Sequence, residues 1–570
     1  MENEKYRRWM SHPLEDPDLT AELEAVKDNE EELNDRFYRD LEFGTGGLRG
    51  VIGAGTNRMN IYTVRKATQG LADHVNQICK NGSVAISYDS RHKSDVFARE
   101  VARVCAANGV RAYLYPQLMP TPLLSFAVRD LKCSMGVMIT ASHNPAKYNG
   151  YKAYGPDGCQ ITNETADAVL ANILAVDEFD GVKLADFDQA LADGRIVYIG
   201  EDTVERYFEN VLKQSIHSEI VRTSGFKVVY TPLNGTGNKP VREILRRIGI
   251  KDVTVVREQE NPDGDFPTCP FPNPEIKQAL ELGMKYCEET GSDLLLATDP
   301  DCDRVGIAVK VDGDYKLLTG NEVGVLLLDY IASQRKAMGT LPEHPLAVKT
   351  IVTTDLAARV AEKHGVELLN VLTGFKFIGE QIGRMEAAGE ADRFLFGYEE
   401  SYGYLAGTYV RDKDAVVASM LICEMAAFYA KQGKGLADVL GELYKTYGYY
   451  LCTQQSFAFE GETGMENMKA IMKALRENPA KDIGGDEVTA FGDYLASVRT
   501  DWVSGEQTVI TLPKSDVLMY EMAGGSKAVI RPSGTEPKIK IYYFVIARDE
   551  KAAREKELHL QESFTKLLKI

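Results

Sequence analysis

Residues 293–304 read DLLLATDPDCDR. The run Leu294–Ala297 is too short and too uniformly apolar for an amphipathic helix, and it is followed at once by Thr298, Asp299 and Pro300. That is the reading of a strand buried on both faces and ending in a polar loop. The same grammar recurs at residues 135–145, MGVMIT then ASHNP, and at 393–403, RFLFGY then EESYG. Upstream of each lies a second strand that opens a helix. These are VAISYD (84–89) before a helix from Ser94, KVVYTP (227–232) before NGTGNKP and REILRRIG, and LAVKTIV (346–352) before DLAARVAEKHG. Strands alternating with helix-length amphipathic stretches predict parallel-containing sheets covered by helices. The three openings lie roughly 120 to 150 residues apart, which points to three α/β units of one kind.

In open α/β sheets ligands gather beyond the carboxyl ends of strands, so three such loops can converge on one cleft. The charged, helix-like stretch 1–41 reads as a capping arm. After about residue 450 the pattern changes to alternating strands and ends in KAVIRPSGTEPKIKIYYFVIA (527–547), an α+β region with its own anion loop. The predicted division is 1–203 (arm and ASHNP loop), 204–318 (DPDCDR loop), 319–450 (EESYG loop) and 451–570. The length of 570 residues suits several domains rather than one core.

Composition narrows the function. Hydrophobic residues make up 44% and charged residues 26%, ordinary for a folded protein. With 84 acidic against 66 basic side chains the net charge is −18, which disfavours nucleic acid and anionic lipid as partners. Nine cysteines without a CxxC pair, and eight histidines without HxxxH, argue against disulfide or zinc frameworks and for a reducing cytoplasm. The N-terminus lacks an apolar signal core, and no run approaches the ~20 apolar residues of a membrane helix. The most apolar stretch, 415–430, carries Glu424 and reads as a buried helix.

Four loops carry chemistry. In TASHNP (140–145), Ser142 is either a capping residue or an exposed hydroxyl able to carry a phosphoryl group; the G-x-S-x-G elbow of hydrolases is missing. In DPDCDR (299–304), Asp299, Asp301 and Asp303 recur with period two. In an extended segment that period sends them to one side, where their mutual repulsion calls for a hard cation such as Mg²⁺ or Ca²⁺. Arg304 and Lys310 stand where an EF-hand loop has Gly and Glu, which removes that option. RPSGTEPK (531–538) joins a guanidinium, two hydroxyls and a glycine, a phosphate clasp with no Walker signature. Glu399 and its neighbours can accept hydrogen bonds from sugar hydroxyls. GTGGLRG (44–50) adds a flexible loop and one cation.

Taken in order, these loops resemble those of the α-D-phosphohexomutase family over nearly the whole chain. The resemblance implies four domains around a central cleft, three similar α/β domains with mixed sheets and a smaller C-terminal α+β domain. It implies a phosphorylated Ser142 and one Mg²⁺ held by Asp299, Asp301 and Asp303 and touching that phosphate. Arg304 would steady the phosphate. Arg49, His143 and Lys152 fall where groups attend phosphoryl and proton transfer. Thr373, Gly374, Glu399, Ser401, Arg411 and Lys413 match contacts to the sugar, while Arg531, Ser533, Gly534 and Thr535 match the phosphate clasp. Three departures, Tyr398, Cys302 and the glycine-rich GTGGLRG, are expected to bear on the sugar.

The implied activity interconverts α-D-glucose 1-phosphate and glucose 6-phosphate. Phosphoserine donates to the free hydroxyl, and a retained glucose 1,6-bisphosphate, also the activator, returns its other phosphate. Pentose and mannose phosphates are alternative substrates. A non-catalytic sugar-phosphate binder would be expected to lack the serine or a carboxylate, and none is missing. A phosphatase with an aspartyl nucleophile would carry DxDx[TV], which Cys302-Asp303 breaks. Expected partners are the small phosphorylated sugar only, on a monomer or weak homodimer.

Overall fold

The computed structural model describes residues 4–44, 46–459, 464–533 and 537–568. It contains three mixed sheets followed by an antiparallel one. Each mixed sheet is organised around its opening strand. Ser83–Tyr88 pairs in parallel with Arg111–Leu114 on one side and Met135–Ile139 on the other. Lys227–Thr231 likewise pairs with Asp252–Val255 and Leu294–Thr298, and Leu346–Thr350 with Glu367–Val371 and Phe394–Glu399. The predicted helices follow these strands at Ser94–Ala107, Asn238–Ile248 and Leu356–His364.

The strand before each chemistry-bearing loop pairs antiparallel with the strand after it. Met135–Ile139 turns into Tyr148–Tyr154, Leu294–Thr298 into Val305–Val311, and Phe394–Glu399 into Gly403–Leu405. ASHNP, DPDCDR and EESYG therefore occupy one structural position used three times. Met135–Ile139 and Leu294–Thr298 are buried throughout, as expected for strands covered on both faces.

The fourth sheet runs in the order Tyr449–Ala458, Lys538–Ala547, Lys527–Pro532, Leu518–Met522, Asp486–Asp493, Val498–Asp501, Gln507–Val509. Helices Gly464–Glu477 and Glu550–Leu568 contribute Met468, Met472, Leu560 and Phe564 to its core. A separate cluster, in which Ile351, Val352 and Leu372 meet Val517, Val529 and Phe544, joins this sheet to the third unit.

The arm folds as three helices, Glu4–Ser11, Pro17–Val26 and Glu30–Phe37. It is pinned by Trp9, which sits edge-on among Phe37, Tyr62 and Phe179. The apolar stretch 415–430 forms the buried helix Ala415–Ala430, capped by Asp414. Its Glu424, fully enclosed, accepts hydrogen bonds from the Ser215 hydroxyl, the Ile216 amide (2.8 Å) and the Tyr330 hydroxyl (3.0 Å). A buried acid with three donors is satisfied, so it ties the second unit to the third. Among the described residues no helix is long and apolar enough to cross a membrane.

Candidate active site

Ser142 lies three residues beyond its strand, in a left-handed backbone conformation with φ +53°. Its amide donates to Thr140 Oγ1 (2.8 Å), and its Oγ donates to Asp299 Oδ2 across 2.9 Å. The hydroxyl of the first unit thus rests directly on the acidic loop of the second. His143 Nδ1 lies 3.3 Å from the same Oγ. Burial, then the nearby Arg304 and Arg49 charges, hold the His143 pKa well below its ordinary value, so the ring is neutral.

Asp299, Asp301 and Asp303 are all buried, and one oxygen of each falls within 4.8 Å of the others. The chain is not extended here, contrary to the sequence expectation. The Cys302 amide donates to the Asp299 carbonyl (2.9 Å), and Cys302 has φ +52°, so a turn gathers the three carboxylates. Lys152 Nζ sits 2.8 Å from Asp301 and 3.6 Å from Asp303, and Lys413 Nζ sits 3.1 Å from Asp303. Burial, then repulsion from Asp301 and Asp303, raises the Asp299 pKa well above the usual range. Burial acts against the charge of Lys152, yet Asp301 and Asp303 raise its pKa.

Asp301 Oδ1 and Asp303 Oδ1 are buried and accept no hydrogen bond. Orphaned carboxylate oxygens pointing into one small space are what a hard cation satisfies, so the donor set fits a divalent ion.

The third unit closes the site. Arg304 forms a bridge with Gly403, which sets DPDCDR against EESYG. Glu399 accepts from the Gly374 amide (2.9 Å), where φ +122° suits glycine, and Thr373 Oγ1 is buried without a hydrogen-bond partner. Ser401 is half-buried in the same loop. Burial raises the Glu399 pKa, against the Lys413 and Arg304 charges.

From the fourth unit, Arg531 neighbours Lys540 and Tyr542, which feel the charge of Glu400; the Ser533 amide donates to the Lys538 carbonyl (2.7 Å). Gly534 and Thr535 lie outside the described residues. Arg49 is exposed on the edge strand Gly47–Val51, whose partner strand carries Lys152.

Arg411, matched above to a sugar contact, points elsewhere, and Tyr398 and Cys302, the departures expected to bear on the sugar, are buried in packing. Arg411 is fully buried and donates to Glu386 (2.7 Å) and to the Thr408 carbonyl. Tyr398 stacks on Phe396 and packs on Gly324, where a Cβ would lie 2.1 Å from its ring. Cys302 belongs to the hydrophobic core beside Tyr230 and Thr298.

The sequence reading also missed several supports. Arg91, enclosed beside Asp89, donates to the carbonyls of Ser142, Asn144, Pro145 (2.9 Å) and Tyr148 (3.1 Å), with the Phe266 ring 5.1 Å from its guanidinium. Thr121 donates to Asp301 Oδ2 (2.9 Å). Asp412 holds Lys413 Nζ (2.9 Å) and Tyr154 Oη (2.8 Å). The only trace of Arg91 in the sequence is its place just after a strand, in SYDSR.

A serine resting on a buried acidic triad, with basic residues around it and the Glu399 loop beside it, is an arrangement suited to phosphoryl transfer on a multi-unit α/β fold. The chain matches the models described as phosphoglucomutase/phosphomannomutase alpha/beta/alpha domain I over residues 40–180, domain II over 205–313 and domain III over 319–447. A phosphoglucomutase of Staphylococcus saprophyticus is 36% identical over 515 residues, covering 90% of this chain and 92% of that protein. One from Staphylococcus aureus is 37% identical, covering 90% of each. Two solved structures share the fold. A phosphoglucomutase/phosphomannomutase family protein from Burkholderia thailandensis has TM-score 0.67 and 19% identity, covering 92% of this chain and 96% of that one. The open form of parafusin from Paramecium has TM-score 0.68 and 16% identity, covering 93% and 96%. The chain belongs to the phosphoglucomutase/phosphomannomutase family.

Proposed function

We propose that this protein is a phosphosugar mutase that interconverts α-D-glucose 1-phosphate and glucose 6-phosphate through phosphorylated Ser142. The observation that carries this reading is the 2.9 Å contact between Ser142 Oγ and Asp299 within the buried triad. The names and near-full coverage of the staphylococcal relatives support glucose as the sugar.

Asp299, Asp301 and Asp303 would hold Mg²⁺, and the ion would neutralise charge on the phosphoryl group in transfer. In the first half-reaction the P–Oγ bond of phosphoserine breaks, a bond from phosphorus to the free sugar hydroxyl forms, and that hydroxyl's proton leaves to a base. The bisphosphate then turns around and returns its other phosphoryl group to Ser142. Arg91 keeps the serine loop fixed, Lys152 and Lys413 supply positive charge beside the triad, and Glu399 orients sugar hydroxyls. The Arg531 and Ser533 clasp would grip the phosphate that is not reacting. Of Lys152, His143 and Arg49, the neutral His143 ring is the one able to take up the proton, because Lys152 is held as a cation by the triad and an arginine does not deprotonate.

Nine free cysteines, most of them buried, suit a reducing compartment, and we assign the protein to the cytoplasm. The test is turnover of glucose, mannose, glucosamine and ribose 1-phosphates with Mg²⁺ and a trace of glucose 1,6-bisphosphate, with intact-mass detection of phosphoserine. Glucose 1-phosphate should turn over fastest, and Ser142→Ala should lose both the +80 Da adduct and at least about 10³-fold in rate. Full activity in Ser142→Ala would end the covalent reading.

A further inference from the structure

The acidic triad has more positive neighbours than it needs. Lys152 and Lys413 already touch it, and Arg304 follows Asp303 directly in the chain. Three cations free to collapse on three carboxylates would leave no net charge to attract a metal ion. Arg304, however, does not collapse. Its Nη1 donates to Glu275 Oε1, while its Nε, buried and without a hydrogen-bond partner, stays 3.8 Å from Asp303 Oδ1. Arg304 remains a cation, because a guanidinium does not deprotonate in a protein.

Glu275 is built into this position. Its amide donates to Asn273 Oδ1 (3.1 Å) in the turn PNPE, and the Ile276 amide donates to the Asn273 carbonyl (3.1 Å). The turn presses on the strand that leaves the metal loop: a Cβ on Gly306 would lie 2.3 Å from the Pro274 carbonyl oxygen. Only a glycine two residues beyond Arg304 lets this backbone come so close.

We infer that Glu275 is a positioning residue that draws the Arg304 guanidinium away from Asp303, keeping the triad open to a divalent cation and the Arg304 Nε free for a phosphoryl oxygen. The inference rests on the triad's being the metal site, as proposed above. It predicts a pattern of charge that simple damage to the loop does not produce. Removing Glu275 leaves Arg304 as an uncompensated cation beside two orphaned carboxylate oxygens, so the arginine competes with the metal. Removing both residues restores the balance.

The experiment is Mn²⁺ binding to the full-length chain, read from the free-ion EPR signal, for the wild type, Glu275→Gln, Glu275→Ala, Arg304→Met and the Glu275→Ala/Arg304→Met double variant. Circular dichroism reports folding, and the isosteric Glu275→Gln keeps the test valid if Glu275→Ala misfolds. We expect Glu275→Ala to weaken Mn²⁺ binding at least about 5-fold, about 1 kcal/mol, and Glu275→Gln to weaken it less. Arg304→Met should bind no more weakly than wild type, and the double variant should return to within about 2-fold of it. Wild-type affinity in both Glu275 variants, or a double variant as weak as Glu275→Ala, would overturn the inference while leaving the metal site standing. Absence of Mn²⁺ uptake by the wild type would overturn both.

Discussion

Asp355→Asn should loosen the fourth unit from the third, by an amount that depends on pH. Asp355 pairs with Lys349 of its own unit (3.2 Å) and with Lys527 across the seam (2.7 Å). Lys349 also donates to the Thr353 carbonyl (3.0 Å) and is almost fully buried. Burial, then repulsion from Lys527, pushes its pKa down to about 8, despite the opposing pull of Asp355. The unfolded chain holds this proton up to the ordinary lysine value and the native chain only to about 8. Ionised Lys349 therefore works against stability at neutral pH, and native stability rises as pH climbs from about 8 toward 10.5.

At pH 7 the ammonium form lies about 1.4 kcal/mol below the amine, one pH unit from its pKa. Without Asp355 the group can always deprotonate, so losing that partner destabilises by no more than about 1.4 kcal/mol. The Lys527 pair is weaker, because the Asp355 side chain is more than a third exposed; it contributes about 0.5–1 kcal/mol. The total is about 2 kcal/mol at pH 7. By pH 9 Lys349 is largely neutral in the wild type and only the Lys527 pair is left to lose.

The two tryptophans make this measurable, since Trp9 lies in the arm and Trp502 in the fourth unit, stacked on Phe491. In a Trp9→Phe background Trp502 alone reports the fourth unit's unfolding in urea. Asp355→Asn should lower its midpoint by about 1 M at pH 7 and by less than half that at pH 9. Equal shifts at the two pH values would refute the buried-lysine argument, and no shift at pH 7 would refute the bridge.

Other positions give separate tests. Gly235→Ala places a Cβ 2.4 Å from Pro300 Cα, so the DPDCDR loop must move; calorimetry should show a loss of about 1–3 kcal/mol and Mn²⁺ titration a several-fold weaker site. Arg91→Lys keeps the charge but has three donors for four carbonyls. It should slow phosphoryl uptake by Ser142 from glucose 1,6-bisphosphate in a single-turnover measurement while leaving the KM for glucose 1-phosphate within about 2-fold. Tyr398→Phe removes a buried hydroxyl that has no hydrogen-bond partner, so melting should show unchanged or higher stability, by up to about 1 kcal/mol, and the sugar preference should not move.

Local pattern made the strands and their loops legible, because a uniformly apolar run ending in Pro, Asn or Asp has few other readings. The triad was equally visible, since three carboxylates in five residues need a cation whichever way the backbone turns. Side-chain direction was harder. Adjacent strand residues face opposite sides, so Glu399 toward the cleft implies Tyr398 toward the core. Arg411 and Lys413 would share a side in an extended segment, but the chain bends at Arg411 and Asp412 and separates them. Glu275 and Arg91 left no spacing signal, since their partners come from distant loops.

The three repeated loops share one further property, and it bears on how the site is held ready. Each contains a residue other than glycine in the left-handed region: Ser142 at φ +53°, Cys302 at +52° and Tyr402 at +65°. In each case the residue reverses the chain so that the next strand can return antiparallel. L-residues adopt this conformation at a cost of about 1 kcal/mol or more, and it persists only where the surroundings over-determine it. Two of the supports come from a neighbouring unit. Phe266 of the second unit backs the Arg91 that grips the Ser142 carbonyl, and the Val305 amide of the second unit donates to the Tyr402 carbonyl of the third (3.1 Å). The turn at Cys302 is braced within its own unit by the Thr236 amide on the Pro300 carbonyl (2.8 Å). Loops strained singly but locked by one another keep their geometry only while the units stay packed. Loosening the seam between the first two units should therefore disorder Ser142 before it unfolds either sheet.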